Sequence, residues 1–548
     1  MKILLVQPPV RDFYDTDVRL QPIGLCYIKS ALNKYQPDAE VIIRDYHAGH
    51  GRKTVPLPHE LSYLKEYYPA ADKSPFSTFH QYYHFGKSFE KIDEEIAEIA
   101  PDLVGISSQF TPYYREALEI ARRVKRRRDI PVIMGGPHVS EVPKEVLSQP
   151  CVDYVVIGEG EKPMVEFVQY LLGNAQVEEV SNLGYKRSGR MHLNPAGNNY
   201  SLDELPFPDL SALPAGQYQL AGRPLAFVIT SRGCPHRCSF CSVHTTFGNV
   251  YRRRTVANII SEINQRYDEG IRVIDFEDDN LTFHKDEFKD LCRKLIERFH
   301  DTEMEFVAMN GISYAGLDDE MLELMQRAGF THLNLALVSS DKKVHETVNR
   351  PYSPRVYTEV VNKAFHLGLR ITSYQILGLP NDSLASMIET LVFHCRLPVL
   401  LGASPFYITP KSPIAEGIDL DKEDYVRARL TAMAADSDLF TREDIYTLFI
   451  TMRIVNFLKG LAPYHDSDIS GLLEQSWLDK RTNTGMELLR ALREKGTLYF
   501  SSSTGNIENR KFRADLFRCV TREAEYITCQ NGRRITVSGF FSGRHDTG

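Results

Sequence analysis

Gly233-Cys234-Pro235-His236-Arg237-Cys238-Ser239-Phe240-Cys241 gathers three of the chain's nine cysteines into one loop, spaced as C-x3-C-x2-C. The apolar run Leu225-Ala226-Phe227-Val228-Ile229-Thr230 leads into it and reads as a buried strand, so the cysteines leave a strand end on a flexible turn. A [4Fe–4S] cluster is normally held by four thiolates. Three at this spacing hold three irons and leave the fourth open to a ligand that is not protein. A disulfide framework belongs to small secreted chains. A zinc site would usually want a second C-x-x-C-type pair or histidines at paired spacing, and no second cysteine pair exists.

With Phe240 before the last cysteine, the motif resembles the signature of the radical S-adenosylmethionine (SAM) enzymes. That resemblance implies that Cys234, Cys238 and Cys241 carry the cluster and that SAM chelates its open iron. It implies reductive cleavage of SAM to a 5′-deoxyadenosyl radical, and hence a low-potential electron donor of the flavodoxin or ferredoxin type.

At 548 residues the chain is long enough for about three or four domains. Hydrophobic content of 43% and charged content of 25% are those of an ordinary globular protein. No apolar run approaches the ~20 residues of a membrane span, so no transmembrane segment is expected. The opening Met1-Lys2-Ile3-Leu4-Leu5-Val6 is too short for a secretory signal and reads as a first strand. A net charge of −7 argues against a general nucleic-acid binder. Cys26, Cys151, Cys292, Cys395, Cys519 and Cys529 are scattered, as buried thiols in a reducing cytoplasm are.

From the first residue, strands at Lys2 to Val6, Glu40 to Ile43, Leu103 to Ser107, Pro131 to Met134 and Tyr154 to Ile157 alternate with helices. This is the pattern of a doubly wound parallel sheet of Rossmann-like type, with its ligand at the carboxyl ends of the strands. No G-x-G-x-x-G follows the first strand, so a dinucleotide is not favoured. The strand ends resemble the cobalamin-binding domain that precedes many radical SAM enzymes. The shared features are Pro8-Pro9, Pro22-x-Gly24-Leu25, Ser107-Ser108, Gly135-Gly136-Pro137-His138 and Gly158-Glu159-Gly160-Glu161. The resemblance implies cobalamin contacts from Pro8, Pro9, Ser107, Ser108, Gly135, Gly136, His138, Gly158 and Glu159, with His138 near the corrin rather than on cobalt. Asp45-Tyr46-His47-Ala48-Gly49-His50 is a displaced and imperfect form of the D-x-H-x-x-G motif. It reads as a polar loop, not as an axial ligand. Residues 52–90 form an aromatic-rich insertion, either packed on the sheet or closing as a lid over cobalamin or substrate.

The proline-rich stretch Leu205-Pro206-Phe207-Pro208 marks a boundary. The expected organisation is a cobalamin-binding domain over 1–200, a linker over 201–222, a partial (β/α)6 radical SAM barrel over 223–414 and a helical domain over 415–548. In the barrel, Glu277, Asp279 and Asn280 at one strand end are placed to hold the SAM ammonium. Gly378 resembles the family's glycine turn near adenine. Val338 stands where many relatives carry a glutamate, so Ser339 or Ser340 is the expected substitute toward the ribose, or SAM takes a less usual pose. The family implies methyl transfer from SAM through cobalamin to an unactivated carbon of a small-molecule substrate. The alternatives are ring formation or rearrangement with the same cofactors, and a sensor that turns over no SAM. No residue stands out as a catalytic acid or base.

Overall fold

The computed structural model describes residues 1–16, 20–197, 200–214 and 216–541. Positions 17–19, 198, 199, 215 and 542–548 lie outside, and with them small parts of the expected domains and linker. The N-terminal sheet contains β1 (Lys2–Gln7), β2 (Glu40–Asp45), β3 (Leu103–Ser107), β4 (Val132–Gly135), β5 (Tyr154–Val156), β6 (Leu183–Arg187) and β7 (Arg190–Leu193). Their order is β7-β6-β5-β4-β3-β1-β2. The strands from β5 through β2 are parallel, while β6 and β7 extend the edge as an antiparallel pair. Ile3, Leu4, Leu5 and Val6 are all buried, as a strand covered by helices on both faces requires. The order reverses between β1 and β3, so their carboxyl ends open the crevice where such sheets take a ligand.

The second unit is built on β8 (Arg223–Val228), β9 (Val273–Phe276), β10 (Glu305–Val307), β11 (His332–Val338), β12 (Arg370–Leu377) and β13 (Leu400–Pro405). Strands β8 to β10 form one parallel run and β11 to β13 another. Isolated bridges at Phe306–Phe330 and Ile312–Leu335 join the two runs into an open, six-stranded partial barrel. Its helices start on side-chain caps: Thr255, Asp318, Ser353 and Ser383 each accept a backbone N–H of the first turn. Ala226, Val228, Ile274, Phe276, Leu333 and Leu335 pack outward against those helices. On the opposite face, Leu225, Phe227, Val273 and Val307 meet Ile23 and Tyr27 of the Ile23–Tyr35 helix, so the first domain packs against the barrel strands themselves.

The C-terminal region is mainly helical, with long helices at Arg442–Leu461 and Lys480–Lys495 and a third at Ala514–Ala524. Near the start of the expected helical domain the chain forms only a short helix, Lys422–Arg427, followed by a single turn, Leu430–Ala432. A tertiary demand breaks it. Buried Arg429 donates to the carbonyls of Val426, Arg11 and Pro112 and pairs with Asp12 at 3.1 Å, which a continuous helix would prevent.

The 52–90 insertion is not a lid. Leu61, Leu64, Tyr67, Tyr68 and Phe76 share one core with Tyr446, Phe449 and Leu458 of the C-terminal region. The Tyr63 hydroxyl donates to the Ala432 carbonyl at 2.7 Å and that of Tyr68 to the Thr431 carbonyl at 3.0 Å. Aromatic side chains with a polar tip suit such a seam, since each buries a ring and still satisfies its hydroxyl.

Candidate active site

The cysteine loop is held by its flanks. Ser231–Arg232 pairs antiparallel with Arg252–Arg253, so the loop closes on itself after β8. Gly233 sits at φ 81°, and a Cβ there would meet the Val250 carbonyl oxygen at 2.5 Å, so only glycine allows the turn. Cys234, Cys238 and Cys241 line one cavity of about 440 Å³, whose walls include Asp279, Asn280, Ala336 and Arg350. Among the described residues no three His, Cys, Asp or Glu side chains are drawn tight enough for a single metal ion. The three thiols share that cavity, as the ligands of a polynuclear cluster would. Burial pushes the Cys241 thiol up to about 11 and raises that of Cys234, so bound iron has to keep these sulfurs as thiolates.

The acidic segment after β9 divides into two roles. Asp278 is buried and accepts the Thr230 N–H, the Thr230 hydroxyl at 2.7 Å and the Ser231 hydroxyl, fastening the cysteine loop's entry to the neighbouring strand. Asp279 and Asn280 face the cavity. Asp279 accepts the Gly233 N–H at 3.1 Å, and burial pushes its carboxyl up to about 7. The Asn280 amide points to Cys234 Sγ at 3.7 Å, and Arg350 points to Cys238 Sγ at 3.8 Å while donating to the Ala336 carbonyl. Arg350 carries no signal in the sequence, because it reaches the loop from more than a hundred residues away. Glu277, expected beside Asp279, is not among the residues that line this cavity.

Two further expected SAM contacts do not line this cavity. At the end of β11 the register slips between Ala336 and Val338, and Val338 takes φ 74°. The slip turns Ser339 away: it is 1% exposed, beside Thr390 Oγ1 at 3.3 Å, and its hydroxyl accepts the Asp341 N–H. Ser340 likewise faces Thr390. Neither hydroxyl reaches the cluster cavity. Gly378 lines a different cavity, against Ala435 and Ile445 of the C-terminal region.

At the carboxyl ends of the N-terminal strands, Gln7 ends β1, Ser107 pairs with Gly135, and the Ser108 N–H donates to the Gly135 carbonyl beside Gly136, while Pro8 and Pro9 are buried just past β1. Gln7 donates to the Gln109 side chain at 3.2 Å, and its own Oε1 has no partner. The Ser108 hydroxyl is also buried without a partner. Gly136 sits at φ 108°, and a Cβ would strike the Ser108 carbonyl oxygen at 2.7 Å. Orphaned polar atoms beside a bare backbone fit a flat, amide-rimmed ligand such as cobalamin.

His138 does not face this crevice. It is 2% exposed, packed between Tyr114 and Tyr425, with Nδ1 on the Thr111 hydroxyl, and burial pushes it down to about 4, so it is neutral. Glu159 is equally committed elsewhere, to Arg232 at 2.6 Å and to Arg252. Gly158 lies between the Ser140 hydroxyl and the Thr246 carbonyl, at the junction of the two units. His47 is fully buried edge-on to Phe85 in a loop ordered by Asp45, which accepts its backbone N–H at 2.8 Å, as expected of a structural turn.

Residues 228–394 match the model of the radical SAM superfamily, and residues 77–168 match that of the B12 binding domain. The chain is 28% identical over 316 residues to an uncharacterized methyltransferase of Pyrococcus horikoshii, covering 57% of this chain and 68% of the relative. It is 27% identical over 416 residues to the cytidylyl-2-hydroxyethylphosphonate methyltransferase of Streptomyces wedmorensis, covering 69% and 73%. The fold is similar to that of the radical SAM methyltransferase TsrM from Kitasatospora setae, with a TM-score of 0.58 at 18% identity over 75% of this chain and 74% of that one.

Proposed function

We infer that this chain, which belongs to the cobalamin-binding branch of the radical SAM enzymes, transfers the methyl group of SAM to a carbon of a small-molecule substrate by way of cobalamin. When bound, the cluster supplies a low-potential electron to SAM and cobalamin supplies a methyl carrier. The chain's own residues do the rest. Cys234, Cys238 and Cys241 offer three thiolates and leave one iron for SAM. Asp279, held by the Gly233 N–H, is the acceptor placed for the SAM ammonium, in agreement with a carboxyl whose charge is costly until a cation arrives. Asn280 and Arg350 aim N–H groups at two of the sulfurs. Pro8, Pro9, Ser107, Ser108, Gly135 and Gly136 form the cobalamin cradle.

The observation that carries the reading is adjacency. The His244–Phe247 helix, directly after the last cysteine, packs on the Pro137–Glu141 helix at the end of β4, so the cysteine cavity and the strand-end crevice share one border. A flavodoxin- or ferredoxin-type donor and a cytoplasmic setting suit an oxygen-sensitive cluster. No helix among the described residues is long and apolar enough to cross a membrane.

The test is anaerobic incubation of reconstituted protein with methyl-labelled SAM, cobalamin, a low-potential reductant and an extract of the source cell. Labelled product together with S-adenosylhomocysteine and 5′-deoxyadenosine is the expected result. Deoxyadenosine with an altered but unlabelled product would replace methyl transfer by ring formation or rearrangement. Label without deoxyadenosine would make the transfer polar.

A further inference from the structure

Gly158-Glu159-Gly160-Glu161 lies at the end of β5, where the resemblance to cobalamin domains suggests contacts to the cofactor. The structure uses both acids otherwise. Arg232, the residue before Gly233, donates through Nη1 to Glu159 Oε2 at 2.6 Å and through Nη2 to Glu161 Oε1 at 2.5 Å. Arg252, its cross-strand partner, takes the other oxygen of Glu159. The Tyr200 hydroxyl lies 3.1 Å from Glu159 Oε2 and 3.3 Å from Glu161 Oε2. The rings of Tyr27 and Phe247 flank the Arg232 guanidinium at 5.3 and 5.6 Å. The side chains of Arg232 and Glu161 are each only 5% exposed.

Two acids and two arginines leave the network neutral. Burial opposes ionisation of Glu161, but the guanidinium of Arg232 prevails and holds the carboxyl below its ordinary range. A fork of two ion pairs has little rotational freedom, unlike an apolar contact that slides at small cost. The fork spans the two units: Glu159 lies in the turn after β5 of the N-terminal sheet and Glu161 opens the helix Glu161–Leu171, while Arg232 and Arg252 are the two sides of the cysteine loop's neck.

We propose that Glu159, Glu161, Arg232 and Arg252 form a positioning clamp that sets the separation between the cobalamin crevice and the cysteine cavity, touching neither cofactor. It rests on the reading that cobalamin lies at the N-terminal strand ends. The stake is geometric, because moving a methyl group between two bound partners tolerates little displacement: a misplacement of about 1 Å costs on the order of 100-fold in rate.

The experiment uses the full chain, reconstituted anaerobically with iron, sulfide and cobalamin. Pulsed electron paramagnetic resonance of the cob(II)alamin and reduced-cluster spins reads their distance without turnover, so it holds even if the reaction is not methyl transfer. Wild-type protein is expected to give one narrow distance. Glu161→Gln is expected to broaden or lengthen it, with full iron and cobalamin content, turnover lowered about 100-fold and the KM for SAM unchanged. Arg232→Lys, which keeps the charge but not the fork, is expected to broaden it as well. Should the Glu161→Gln protein not fold, Arg252→Gln and Tyr200→Phe each remove one arm of the network and are expected to broaden the distance to a lesser degree. An unchanged narrow distance in variants that hold both cofactors would overturn the clamp. So would selective loss of cobalamin, which would make these residues cofactor contacts.

Discussion

Val338 is a β-branched residue in the left-handed region, at φ 74°, where L-residues other than glycine pay a steric cost. It persists because its side chain is only 2% exposed, in a cluster with Val344, Val348, Leu379 and Phe406, and Phe240 of the cysteine loop packs on that cluster. Packing and backbone therefore pull in opposite directions at one position. Val338→Ala gives up about 2 kcal/mol of burial and keeps most of the backbone cost. Val338→Gly gives up more burial but relieves about 1–2 kcal/mol of strain. Glycine is expected to be no worse than alanine here, the reverse of the usual order in a strand. Denaturant melts of the two variants check it, and a glycine variant clearly below the alanine one would refute the strain.

Among the elements, the Leu384–Cys395 helix shows how a helix end is satisfied without a glycine. Lys459 is 0% exposed and donates to the carbonyls of His394 at 3.1 Å, Cys395 at 3.2 Å, Leu397 at 2.6 Å and Thr528 at 2.9 Å. One ammonium thus serves the last turn of the helix, its exit and the Tyr526–Thr528 strand. Replacing it by methionine keeps the volume and removes the ammonium from four carbonyls, of which those of His394 and Leu397 keep a backbone N–H from Leu397 and Val399. Lys459→Met is expected to cost about 3 kcal/mol, with faster amide exchange near the helix end and in residues 526–528. A variant as stable as wild type would mean that water takes over the carbonyls.

On the scale of the whole molecule, the C-terminal region is not an appendage. The core that holds Leu4, Val6 and Tyr114 of the N-terminal sheet domain runs through Tyr68 and Phe76 of the insertion into Phe449, Leu489 and Phe517. Asp12 lies at the junction, accepting from Arg429, Thr431 Oγ1 at 2.7 Å and the Tyr113 hydroxyl at 2.7 Å. A chain ending at residue 414 leaves these apolar faces and the Asp12 carboxylate bare. Such a truncation is expected to aggregate on expression, despite keeping the whole cysteine motif and every N-terminal strand. Size-exclusion chromatography decides it, and a monomeric truncated protein that binds cobalamin would show the N-terminal unit to be self-sufficient.

The sequence alone determined what depends on short-range chemistry. Apolar strand runs alternating with helices announced the two strand–helix series. The C-x3-C-x2-C spacing announced a three-thiolate loop, since ligands within a stretch of eight residues need no tertiary context to meet. The structure decided what depends on distant residues. Arg350 arrives at Cys238 across the barrel, Ser339 is turned from the cavity by a one-residue slip in β11, and His138 is claimed by Tyr425 from the far end of the chain. The two acids of Gly158-Glu159-Gly160-Glu161 were legible as residues but not in their use. A carboxylate is bound by whichever cation burial leaves beside it, and only the folded chain brings Arg232 there.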